Sequence, residues 1–188
     1  MTLNESLQRG VEMSDTSGSS ILYRYLQPTD DLDAITTLLH DAYAPLAAAG
    51  MRFVASHQDA AETQRRADRG ETLVAIDASL VVGIITLSEP AATGGSPFYD
   101  RPDVASFGQF AVRPSHQHRG IGSTLLRLVE RRAPEQGVML LGLDTSEHAS
   151  GLIAFYEARD YRFVEHVQWQ RTNYRSVIMG KPLVRVTP

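Results

Sequence analysis

The chain has 188 residues, 43% of them apolar and 21% charged, the size and make-up of one globular domain able to bury its own core. Acids number 22 and bases 18, a net charge of −4, which argues against non-specific binding to nucleic acid or to an anionic membrane surface. Cysteine is absent and Lys181 is the only lysine, so disulfides, thiolate metal sites and cysteine nucleophiles are excluded and any lysine chemistry falls on one residue. No apolar run reaches the roughly 18 residues of a membrane helix, and the N-terminus lacks the basic-then-apolar order of a secretion signal, so a cytoplasmic protein is expected.

Residues 1–20 are polar, carry Ser17-Gly18-Ser19-Ser20 and show no sustained period. They are expected to form a flexible tail ahead of a single domain over 21–188. Residues 21–26 read as a short strand. Pro28-Thr29-Asp30-Asp31 then opens a helix on which Leu32, Ile35, Leu39, Ala42 and Tyr43 keep a helical period. A looser stretch over 44–58 precedes a second helix over 59–67. Two β-branched runs, 72–76 and 81–87, flank Asp77-Ala78-Ser79 and form a hairpin. The stretch 88–104, with Pro90, Pro97, Pro102 and Gly94-Gly95, is a long loop of the kind that is usually functional or mobile. Beyond it follow a strand over 105–112, a helix from Gly120 to about Ala133 that Pro134 ends, and a central strand over 138–143. A helix over 149–159 and strands over 162–169 and 174–179 complete the chain.

Strand, helix and strand across 105–143 make a right-handed parallel crossover, while the other neighbours can pair antiparallel. The fold class is therefore α/β: a single mixed, mostly antiparallel sheet with a central parallel pair, flanked by about four helices.

The chemistry concentrates in Gln109 to Leu126, QFAVRPSHQHRGIGSTLL. A strand ends at Val112, Arg113-Pro114 turns, and Gln117-His118-Arg119-Gly120-Ile121-Gly122 runs directly into a helix. Amides at a helix N-terminus have no internal partner and the helix dipole favours an anion there. Glycines at 120 and 122 remove side chains that would block a phosphate, and Arg119 adds a cation suited to one. The glycines alone serve a tight turn equally well. Leu125 stands where a dinucleotide-binding fingerprint needs its third glycine, and Gly-Lys-Ser/Thr is absent, so neither that fingerprint nor a P-loop applies.

Gln117-x-x-Gly120-x-Gly122, preceded by Val112-Arg113-Pro114 and followed by Leu125-Leu126, resembles the acetyl-coenzyme A motif of the GNAT N-acetyltransferase superfamily. The element order over about 160 residues is similar to that family's plan, and Ala154-Phe155-Tyr156-Glu157-Ala158-Arg159-Asp160-Tyr161 resembles its later helix and following turn. The resemblance implies acetyl-CoA as co-substrate, with no metal. It implies that the backbone of Phe110, Ala111 and Val112 pairs with the pantetheine arm and stabilises the oxyanion. The loop Gln117, His118, Arg119, Gly120, Ile121 and Gly122, with Ser123, would hold the pyrophosphate. Tyr156 would protonate the departing thiolate, as a phenol with a pKa near 10 can at neutral pH. Packed on an amphipathic helix, the same tyrosine would be structural instead. Two positions depart from the family pattern. Ala149 stands where an asparagine often contacts pantetheine, and Asp160 where a glycine often turns the chain left-handed, a conformation aspartate tolerates better than most.

The acceptor implied is a small-molecule or peptide amine, taken up between 44–58, 88–104 and 168–173, near Tyr43, Phe53, Phe98, Tyr99 and Trp169. Glu89, Asp144, Glu147 and His148 are the titratable groups placed to serve as a general base, none of them singled out. His116-x-His118 lacks a third ligand at recognisable spacing. The edge strands leave a homodimer open. A binding-only acyl-CoA sensor is the alternative to an enzyme.

Overall fold

The computed structural model describes residues 2–92 and 94–183; Met1 of the expected tail and 184–188 of the expected domain lie outside them. Two elements precede the expected domain. Helix α1 spans Leu3–Arg9 and strand β1 spans Val11–Ser14. The remaining elements are β2 (Ser20–Tyr25), α2 (Leu32–Ala48), α3 (Ala60–Ala67), β3 (Gly70–Asp77), β4 (Leu80–Ser88), β5 (Val104–Val112), α4 (Ile121–Arg132), β6 (Leu140–Ser146), α5 (Ser150–Glu157), β7 (Arg162–Val167) and β8 (Ser176–Pro182).

The expectation of a flexible tail is corrected by the structure. Thr2 and Glu5 form a reciprocal capping box on α1, which satisfies two otherwise orphan donors. Leu7 on that helix is fully buried in the main core. Strand β1 then pairs antiparallel with β2, from Val11↔Tyr23 to Ser14↔Ser20. A short helix and four edge residues repay their ordering because both dock on an existing sheet.

The eight strands form one sheet in the order β1-β2-β3-β4-β5-β6-β8-β7. The pair β5–β6 is parallel and its neighbours are antiparallel, as expected. Alternation along β3 shows how the layers form. Leu73 and Ala75 join α4 residues Ile121, Leu125, Leu128 and Val129 on one face, together with Leu7 of α1 and Tyr156 of α5. Val74 and Ile76 join Ile35, Leu38 and Leu39 of α2 on the other. Both faces of the central strands are thus covered, which explains their unbroken apolar runs.

Helix α2 continues to Ala48 through Pro45, further than the apolar period indicates. Pro45 is exposed, so the carbonyl that loses its partner can be hydrated. The long loop after β4 is anchored rather than loose. Phe98 and Tyr99 are buried and fill a slot over the cross-strand pair Gly142↔Gly180. A Cβ on Gly142 would lie 2.7 Å from the Tyr99 ring, and one on Gly180 would lie 2.8 Å from the Phe98 ring, so glycine is what lets the loop approach. Among the described residues no helix is long and apolar enough to cross a membrane.

Candidate active site

Strands β5 and β6 pair only at Val104↔Leu140, Ala105↔Leu141 and Ser106↔Gly142. Past that point β6 continues with β8 to Ser146, while β5 continues with β4 to Val112. The register of β5 on β4 also shifts between Ile84 and Thr86, opposite Gln109, whose φ is 47°. A bulge re-aims a strand, and this one is pinned by its own buried side chain. The Gln109 amide accepts from Gln58 at 2.8 Å and donates to the Thr63 carbonyl at 3.2 Å and the Thr86 hydroxyl at 3.3 Å. Where the two strands part lies a cavity of about 720 Å³.

Around the end of β5 the expected loop takes shape. A single 3-10 turn, Pro114–His116, leads to Gln117, whose side chain donates to the Val112 carbonyl at 3.1 Å. His118 and Gly120 have φ of 61° and 83°. Gly120 is the N-cap of α4 and supplies no side-chain cap, so the first-turn amides of Ile121, Gly122 and Ser123 face outward at the positive end of the helix dipole. Gly122 serves packing as well: a Cβ there would lie 3.3 Å from Val112 and 3.4 Å from Phe110. The carbonyl of Phe110 accepts from the Tyr43 hydroxyl at 3.2 Å.

Arg119 does not point its charge outward. Its guanidinium is 2.5 Å from Asp15 and 3.2 Å from Asp77, and its carbonyl accepts from the Thr16 amide at 3.1 Å. Asp15 also accepts from the Ser17 hydroxyl and the Ser17 and Ser19 amides. The Ser17 hydroxyl above all, with Arg119 and the two amides, holds its carboxyl down at about 2 against the opposing effect of desolvation. The turn between β1 and β2 therefore braces the loop from outside. A different cation reaches the α4 N-terminus. Arg159, at the end of α5, donates to the Ser123 hydroxyl at 2.9 Å and stacks 3.6 Å above the Phe155 ring.

Tyr156 lines the cavity from α5 and is 6% exposed. Its ring packs against Phe107, Phe155 and Tyr161. Among the described residues no protein group hydrogen-bonds its hydroxyl. Burial, then the nearby Tyr43 and Asp144, push its pKa well above the ordinary value, which keeps the proton on the oxygen.

Of the titratable groups weighed as bases, Asp144 alone lines this cavity. It lies within β6 rather than after it, opposite Ile178, and one carboxylate oxygen accepts from Trp169 at 2.9 Å and Ser176 at 3.2 Å. Its side chain opens to the cavity, yet the surrounding protein raises its pKa by desolvation, against those two hydrogen bonds and the charge of Arg66. Glu147 is instead paired with Arg175 at 2.6 Å, and the His148 side chain is 71% exposed. Of the expected aromatics, Tyr43, Phe53, Tyr99 and Trp169 line the cavity, whereas Phe98 is spent on the glycine slot. Ala149 is the N-cap of α5 and packs with Met51, Phe53 and Tyr174, and Asp160 is left-handed with φ of 68°.

Arg66 and the Asp15 brace were not read from the sequence. Both depend on contacts distant in the chain. Only the capping box at Thr2 and Glu5, followed by apolar Leu3 and Leu7, carried a local signal of the N-terminal elements.

A family model described as acetyltransferase (GNAT) family matches residues 32–161. A curated relative, S-(2-succino)cysteine N-acetyltransferase of Bacillus subtilis (strain 168), is 27% identical over 133 residues, covering 70% of this chain and 78% of its own. Among solved structures, the GNAT domain of S. lividans PAT superposes with a TM-score of 0.70 at 16% identity, covering 95% of this chain and 99% of that one. The ribosomal-protein-S18-alanine N-acetyltransferase of Escherichia coli gives 0.66 at 17% identity over 89% and 96%. A GNAT family acetyltransferase from Elizabethkingia anophelis, solved with acetyl-CoA bound, gives 0.60 at 15% over 87% and 98%.

Proposed function

The chain belongs to the GNAT acetyltransferase family, and from that premise we propose that it transfers the acetyl group of acetyl-CoA to an amine held in the cavity between β5 and β6. The observation that carries this reading is that three features are set along β5, where Tyr156 packs on Phe107 beside the cavity. These are the uncapped N-terminus of α4, the stretch of β5 beyond its last pair with β6, and the Tyr156 hydroxyl, which has no hydrogen-bond partner among the described residues.

In this reading the amides of the Gln117–Ser123 loop bind the pyrophosphate. Arg159, beside Ser123, supplies the nearby positive charge that Arg119 gives up to Asp15 and Asp77. The backbone of Phe110–Val112, past the last pair with β6, lies along the pantetheine arm, and its amides stabilise the oxyanion. The arm would take the place of the Tyr43 and Gln117 side chains on its carbonyls. The amine nitrogen attacks the thioester carbonyl carbon, a C–N bond forms, and the C–S bond then breaks. Tyr156 gives its proton to the departing sulfur, and Asp144 takes the proton that the amine must lose. The Bacillus subtilis relative is named for S-(2-succino)cysteine and the Escherichia coli structure for alanine of ribosomal protein S18, so small-molecule and peptide amines both fall within the reading. Release of free thiol from acetyl-CoA across a panel of amines tests it; silence with every amine would end the enzymatic assignment for this cavity.

Gly120→Asp tests the loop. Aspartate bears the left-handed backbone at this position with less strain than most residues, its Cβ would meet Thr16 at 3.4 Å, and a thermal melt checks that the variant folds. Its carboxylate would oppose the pyrophosphate, and acetyl-CoA affinity measured by calorimetry should fall about 10- to 100-fold, the scale of one or two charge-assisted contacts. Unchanged affinity would place the nucleotide elsewhere.

Asp144 gives the pH dependence its sign. A base works only when ionised, and desolvation raises this carboxyl above the usual range. Turnover should therefore be full at neutral to alkaline pH and fall as pH drops through the raised pKa. In Asp144→Asn the residual rate should be low, about 10²-fold or more below wild type, and should lose that acid limb. An Asn variant that keeps both rate and acid limb would remove Asp144 from the mechanism.

A further inference from the structure

Arg66 is a charged group in the cavity that the acetyl transfer leaves unused. It sits on the last turn of α3, and its Nη2 lies 3.5 Å from where a Cβ on Gly108 would stand. That places the guanidinium over β5, two residues beyond the last pair with β6. Charges in such a place are normally matched by a carboxylate. Here the guanidinium makes one hydrogen bond among the described residues, from Nη1 to the side-chain carbonyl of Gln58 at 2.5 Å. Arg69 lines the cavity too, and the two acids there already accept hydrogen bonds. Glu62 takes Arg65 and Arg171, and Asp144 takes Trp169 and Ser176.

The mount of Arg66 is rigid. The Gln58 amide nitrogen donates to the Thr63 hydroxyl at 2.7 Å and to Gln109 at 2.8 Å. Gln58, Thr63 and Gln109 are all buried, and Gln109 ties the group to the β5 bulge. Each polar atom of the Gln58 side chain is therefore used to present Arg66, whose remaining N–H groups have no hydrogen-bond partner among the described residues. Desolvation, the largest influence on Arg66, works against its charge, and a bound anion would relieve that cost. A planar fork of donors fits a carboxylate better than any neutral acceptor.

We propose that the acceptor is an amine carrying a carboxylate in the same molecule, an amino acid or a close derivative, and that Arg66 binds that carboxylate. The inference rests on the acetyl-transfer reading of this cavity and adds the substrate class. Asp144 and Arg66, opposite charges lining one cavity, match the ammonium and carboxylate ends of such a molecule. The net charge of −4 suggests a cationic ligand, but the local field at Arg66 outranks a sum spread over the surface.

The test compares acids with their uncharged counterparts. Free amino acids and the same compounds as carboxamides are assayed with acetyl-CoA by thiol release. N-acetyl-leucine and N-acetyl-aspartate are titrated against their carboxamides by calorimetry, which needs no turnover. Wild type should prefer the acid about 10- to 100-fold in kcat/KM and in affinity, the range for one charge-assisted anchor. In Arg66→Gln the acid-to-amide ratio should collapse towards one. In Arg66→Lys, which keeps the charge but not the fork, the ratio should be intermediate. Equal binding of acid and amide by wild type, or no binding of either, would overturn the proposal, as would a preference that survives in Arg66→Gln. Failure of the acetyl-transfer reading would show differently: acids would bind, yet no amine would release thiol.

Discussion

Replacing Tyr156 by phenylalanine is expected to cut kcat by about 10²-fold or more, the usual scale of general acid catalysis, with little change in acetyl-CoA affinity or melting temperature. The ring contacts with Phe107, Phe155 and Tyr161 would survive in the variant. The hydroxyl that disappears has no protein hydrogen bond among the described residues, so its removal leaves no partner unsatisfied. Burial pushes the phenol's pKa up, so the acid holds its proton at neutral pH. Steady-state rates, calorimetry with acetyl-CoA and a thermal melt separate the outcomes. Full turnover with a lowered melting temperature would make Tyr156 a structural residue.

Leu7→Ala is expected to cost about 2–5 kcal/mol, the range for emptying a leucine site in a packed core, because Leu7 is fully buried. For a chain of this size that lowers the melting temperature by roughly 4–20 °C. Removing residues 1–19 should cost at least as much and should weaken acetyl-CoA binding too, since Asp15 would no longer hold Arg119. A truncated protein with an unchanged melt and unchanged affinity would restore the reading of this segment as a tail.

The sequence conveyed what is local. The run from Gln109 to Leu126 announces a strand, a turn and a helix N-terminus by glycine positions and apolar spacing, and the structure builds those elements. The left-handed turn at Asp160 came from the family resemblance instead, and the structure has φ of 68° there. Composition misled at the N-terminus, because a short helix with one fully buried leucine looks polar on average even when that leucine fills a core. The bounds of β6 also shifted. The apolar run starts at Val138, but pairing with β8 selects Leu140–Ser146, and this places Asp144 on a strand that lines the cavity rather than on a loop. Arg66 sits in Arg65-Arg66 on a helix that reads as a solvated face. Only Gln58, Thr63 and Gln109, brought together by the β5 bulge, show which of the two arginines turns inward.

The brace between Asp15 and Arg119 joins positions 104 residues apart. Closing so large a loop costs entropy that a short segment could never offset, but the cost grows only with the logarithm of length and is met once by the folded sheet. The nucleotide loop therefore owes its shape to the whole chain. A peptide containing residues 109–126 would carry every motif letter and still lack the form, because neither Asp15 nor Asp77 would be there to hold it. Transplanting those residues into another scaffold would move the spelling and leave the geometry behind.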